Sequence, residues 1–79
     1  MRNLQHRGRC RLMLRMPDRR ADLSNAVHPD FMELCAAYEL ACEAILTFSA
    51  REEPDRVREF RDLADCLETE ALALAIQRR

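Results

Sequence analysis

Cysteines stand at positions 10, 35, 42 and 66 of this 79-residue chain, and four thiols in so short a sequence raise a disulfide framework or a metal site. Their spacing supports neither. Cys35 and Cys42 are seven residues apart, two helical turns or about 10 Å along the axis, beyond the roughly 7 Å Cα separation that a disulfide spans. No two cysteines show the short interval of a zinc knuckle. His6 with Cys10, and His28 with Cys35, can each share a helix face, but neither pair completes a four-ligand set. No metal and no cofactor is therefore expected. Cys35 and Cys42 read as small buried hydrophobes in a reducing compartment. Cys66 falls outside the apolar stripe of its helix and is the thiol expected to meet oxidants.

Catalytic groups are equally sparse. Glu39 and Glu43 sit one helical turn apart and could share a proton or a cation, but two glutamates on a solvated helix face give the same pattern. His28 precedes Pro29 at a helix start, which suits a capping or surface role. Tyr38 lies in an apolar seam, so a core position with its hydroxyl at an edge is expected. The only glycine is Gly8, which leaves no glycine-rich phosphate loop and no nucleophile elbow. The expectation is a chain with no catalytic residue, not an enzyme.

The elements that hold these residues follow from composition and periodicity. Hydrophobic residues make up 48% and charged residues 34%, with three prolines and one glycine, a poor inventory for a turn-rich β fold and a good one for helices. Charge-free stretches such as 44–50 and 71–77 are far below the roughly 20 residues of a membrane span, and arginines interrupt the N-terminus too often for a secretory signal. A cytoplasmic location follows as the expectation. All 13 basic residues are arginine. Residues 1–20 hold seven of them against Asp18 alone, whereas 21–50 hold five acids and no base. A basic arm thus precedes an acidic body.

Residues 1–8 show no pattern and are expected to fray. From Arg9 to Met16 the chain alternates with period two: Cys10, Leu12, Leu14 and Met16 on one side, Arg9, Arg11, Met13 and Arg15 on the other. That is the signature of a half-buried strand or extended arm over about 9–16, ended by Pro17. A start at Met13 or Met16 would instead remove most of it. Residues 17–29, punctuated by Pro17, Asn25 and Pro29, read as a linker with at most a helical turn near Arg19 to Leu23. A helix over about 30–50 follows, with Asp30 and Glu33 at capping-box spacing and an apolar seam of Phe31, Leu34, Tyr38, Ala41, Ile45 and Phe48. Met32, Leu40 and Leu46 lie off that seam, so this helix is apolar over more than one side. A second helix over about 54–77 starts at Pro54, with Glu52, Glu53 and Asp55 at its N-terminus and Arg78 and Arg79 at its C-terminus. Its seam runs Val57, Phe60, Ala64, Leu67, Ala71, Leu74.

Arginines on alternate positions of a strand, followed by two helices, are similar in outline to the ribbon-helix-helix repressors. That resemblance implies a strand-paired dimer reading the DNA major groove with Arg9, Arg11 and Arg15, while Cys10, Leu12 and Leu14 face the core. It covers the strand only. Pro29 leaves little space for that family's first helix, and the glycine-containing turn between its helices is missing. A dimer of hairpins also resembles small RNA-binding four-helix bundles, in architecture alone.

The sequence therefore predicts a mainly α chain with a single domain: a basic arm or strand (1–16), a linker (17–29), and an antiparallel hairpin (30–79) that dimerises into a four-helix bundle. Phe31, Leu34, Tyr38, Ala41, Ile45 and Phe48 are the expected dimer or partner interface. The arm is expected to act as a lid, with Leu12, Leu14 and Met16 over Leu72 and Ile76 and its arginines dispensable. Function is expected to be non-enzymatic binding of a partner protein, as an adaptor, inhibitor or antitoxin-like regulator. Nucleic-acid binding through Arg9, Arg11 and Arg15 is the alternative, and no membrane partner is expected.

Overall fold

In a computed structural model, which describes residues 3–77, the chain is helical almost throughout. Helix α1 runs Leu4–Arg15, a 3-10 turn Pro17–Arg19 leads into α2 (Arg20–Asn25), and two long helices follow, α3 (Pro29–Ala50) and α4 (Pro54–Ile76). Among the described residues there is no strand. Arg78 and Arg79, assigned above to the end of the second helix, lie outside the described residues.

The N-terminal segment is the main correction. Residues expected to fray or to form a strand build α1, which Asn3 caps by accepting a hydrogen bond from the His6 backbone N–H at 2.9 Å. Two physical reasons decide against the strand. A strand alone leaves its backbone groups unpaired, and a helix satisfies them internally. The alternation also splits when tested against burial: of the side expected to face inward, Leu12 is fully buried and Met16 half-buried, while Cys10 and Leu14 are exposed. Residues four apart carry the real pattern, since Gly8 and Leu12 face the core together. Leucine, methionine and arginine are all good helix formers.

Helix α1 crosses α3 at a close approach that depends on Gly8. A Cβ at that position would overlap the backbone carbonyl of Cys35. The supposed linker is also more structured than expected. Leu23 of α2 is fully buried and packs with Leu12, Phe31 and Cys35 in one core. Arg9 ties α1 to the end of α2, its Nη1 donating to the carbonyls of Leu23 (3.3 Å) and Ser24. Those last-turn carbonyls have no partner inside their own helix, so the guanidinium satisfies groups that would otherwise be orphaned.

The hairpin forms as predicted, with helix bounds within a residue of those expected. Its antiparallel order shows in two cross-contacts. Phe48 stacks on Phe60 near the turn, with ring centroids 5.6 Å apart, and Tyr38 reaches Glu68 further along. Arg51 and Arg56 lie over the Phe48 ring at 5.9 and 5.8 Å. The turn itself is a Schellman arrangement: Glu53 N–H donates to Phe48 O and Glu52 N–H to Ser49 O, with Glu52 at φ 57°. At the other end of α3 the cap is His28, whose Nδ1 accepts from the Asp30 N–H at 3.0 Å. Asp30 therefore stands in the first turn instead of capping it, because Pro29 occupies the first helical position and pushes the cap back by two residues.

Candidate functional site

Three arginines of α1, Arg7, Arg11 and Arg15, recur every four residues and so share one flank of the helix. Opposite them α3 and α4 present two carboxylates. Glu39 is fully buried, and its Oε1 accepts from Arg11 Nε. Its other oxygen, Oε2, lies 3.3 Å from Arg7 Nε, within ion-pair range, yet without the alignment of a hydrogen bond. Glu68 Oε2 accepts from the Tyr38 hydroxyl at 2.6 Å and from Arg15 Nε at 3.3 Å. Arg7, Arg11, Arg15, Glu39, Tyr38 and Glu68 form a polar seam that fastens α1 across the hairpin. The basic arm and the acidic body are thus partners within one chain.

Local electrostatics follow from this placement. The hydrogen bond to Glu39 raises the Arg11 pKa above its ordinary value, so the guanidinium stays charged. Burial, then the bond to Glu68, pushes the Tyr38 phenol well above its usual range. Burial also lifts the Cys42 thiol, and it carries the Cys35 thiol to about 11. Each shift favours a proton-holding, structural state over a nucleophilic one.

Several expectations change here. Glu39, read as a solvated helix-face glutamate, is the most deeply buried charged group described. Its signal was present in the sequence as the four-residue spacing of Arg7, Arg11 and Arg15, which the period-two reading concealed. Arg9, Arg11 and Arg15, the nucleic-acid readers of the alternative, do not line one outward strand face. Arg9 lies over the Phe31 ring at 5.6 Å and bonds to α2, Arg11 holds Glu39, and Arg15 holds Glu68. Of the expected lid, Met16 lines a groove with Leu72 and Ile76, but Leu14 is 75% exposed and Leu12 lies in the core with Phe31 and Cys35. The arginines expected to be dispensable hold Glu39 and Glu68.

The expected interface residues divide. Phe31, Tyr38 and Ala41 are buried in the chain's own core, whereas Leu34, Ile45 and Phe48 are half-buried. The large apolar side chains left in water on α3 are Leu40 and Leu46, at 50% and 62% exposure. Leu40 stands about two and a half turns after Phe31 and so points away from it. The four thiols are all unpaired; Cys35 is buried, Cys42 half-buried, and Cys10 and Cys66 exposed. His6 and Cys10 do share a face, with Nε2 and Sγ 3.6 Å apart. No helix among the described residues is long and apolar enough to cross a membrane.

Compared with protein-family models, with curated proteins and with solved structures, the chain matches none.

Proposed function

We propose that this chain is a small helical interaction module that acts by binding a partner protein, not by catalysis, in the cytoplasm. One observation carries the reading. With α1 and α4 already packed on α3, Leu40 and Leu46 remain half or more exposed on the more apolar helix of the hairpin. Apolar side chains left in water on a helix are the raw material of a protein contact. The first partner in this reading is a second copy, two hairpins meeting through α3 to bury both leucines. Four unpaired cysteines suit a reducing compartment.

Three of the groups weighed for chemistry have structural occupations, which supports binding over catalysis: Tyr38 donates to Glu68, Glu39 holds α1, and His28 caps α3. The engagement of Arg9, Arg11 and Arg15 inside the molecule favours a protein partner over a nucleic acid, since phosphate contacts need those charges free.

A photo-crosslinking side chain at Leu40, compared with one at exposed Arg58 on α4, tests the reading. The expected result is a discrete adduct from position 40 and none from position 58, with sedimentation equilibrium showing self-association that Leu46→Glu weakens. A monomeric chain that gives no discrete adduct from position 40 in cells would overturn it.

A further inference from the structure

We propose that the face of α1 built by His6, Cys10 and Met13 is a binding site for a soft monovalent metal ion, Cu(I). The three residues follow one another at steps of four and three, so they fall on one side of the helix. Asn3 closes the first turn by capping His6 N–H, which places the imidazole on regular helix one turn before the thiol. All three residues line one surface cleft, with Arg9 and Met32 on its inner side. His6 and Cys10 are exposed and Met13 is half-buried.

The separation of the two donors fits a shared ion. Metal–thiolate and metal–imidazole bonds of about 2.3 and 2.0 Å, meeting at about 110–120°, place sulfur and nitrogen about 3.5–3.7 Å apart. His6 Nε2 and Cys10 Sγ are 3.6 Å apart in the protein. A thiol–imidazole pair at this distance needs only to lose the thiol proton to solvent as the metal–sulfur bond forms.

Donor chemistry and charge select the ion. Imidazole, thiolate and thioether form a soft set with one negative charge, the kind that favours Cu(I). With Cu(I) the site is neutral. A divalent ion would leave a net positive charge beside Arg9, and none of the residues lining the cleft is a carboxylate. Arg11 is turned away to Glu39, whereas Arg9 stays on the inner side of the cleft, its guanidinium held by the Leu23 and Ser24 carbonyls and the Phe31 ring. The zinc arithmetic of the cysteines overlooks this site because the third donor is a methionine.

Anaerobic competition titration of Cu(I) against a chromophoric Cu(I) chelator is the test, with Cys66→Ser as the parent to remove the other exposed thiol. The expected result is one Cu(I) per chain, lost in Cys10→Ser and weakened about tenfold or more in both His6→Ala and Met13→Leu. Circular dichroism checks that each variant keeps its helicity, and a Zn(II) titration of the parent runs alongside. Binding that survives Cys10→Ser, a His6→Ala or Met13→Leu variant that binds like the parent, or Zn(II) held as tightly as Cu(I), would each overturn the proposal.

Discussion

Arg11 Nε donates to Glu39 Oε1, joining the middle of α1 to a fully buried carboxylate at the middle of α3. The sequence separation is 28 residues, so the contact is purely tertiary, and it explains why a +6 segment and an acidic hairpin belong to one small chain. Desolvating a carboxylate is costly, and only a close cation with hydrogen bonds offsets the cost. Glu39 is therefore a poor source of net stability and a strong source of register. Any placement of α1 that misses it leaves a buried charge unpaired.

Breaking that pair from one side should be worse than removing it altogether. Arg11→Met is expected to destabilise the fold by about 2–3 kcal/mol, less than a wholly buried pair because Arg11 keeps some solvent and Arg7 remains nearby. The double variant Arg11→Met/Glu39→Leu should recover to within about 1 kcal/mol of wild type. Urea denaturation measures both. A double variant no more stable than the single one would show that Glu39 is not held in place by Arg11.

Gly8 should be intolerant of the smallest side chain. In an isolated helix, glycine to alanine gains about 1 kcal/mol. Here the added methyl meets the Cys35 carbonyl, a backbone atom that cannot rotate away, and forcing the helices apart costs about 1–3 kcal/mol. Gly8→Ala is therefore expected to lower the melting temperature and to increase proteolysis within α1. A variant that melts higher than wild type would place α1 off α3.

Stability should fall on the alkaline side. Cys35 is fully buried as a neutral thiol, and its pKa stands at about 11 against an ordinary value of 9.0. A raised folded-state pKa means that the neutral-form stabilisation is complete below pH 9 and is lost as pH climbs from 9 toward 11. Tyr38 is shifted the same way and adds to the loss above pH 10, its ordinary value. Urea midpoints measured from pH 7 to 11 should decline above 9, and Cys35→Ala should flatten the part between 9 and 11. At pH 8 only about one thousandth of Cys35 is thiolate, so a thiol reagent should modify exposed Cys10 and Cys66 first. Equal rates at Cys35 and Cys10 would contradict its burial.

What the sequence determined by itself is the hairpin. Pro54 marks the first position of α4, Pro29 the approach to α3, and the three-to-four spacing of Phe31, Tyr38, Ala41, Ala64, Leu67 and Ala71 names the apolar faces. These are local signals, set by backbone sterics and by the 3.6-residue turn. The burial of Phe31, Tyr38 and Ala41 within their own chain, against the dimer interface expected of them, came from the tertiary structure. What only the tertiary structure decided is the fate of residues 4–15. A period-two alternation contains every fourth residue, so Arg7, Arg11 and Arg15 fit a strand and a helix equally until the carboxylates they meet are known. Glu39 and Glu68 supply that knowledge from 28 and 53 residues away. Leu12 and Leu14 carry the same side chain two positions apart, yet one is fully buried and the other 75% exposed. Their difference is set by where Gly8 lets α1 touch α3, a distance between two backbones that no single stretch of sequence encodes.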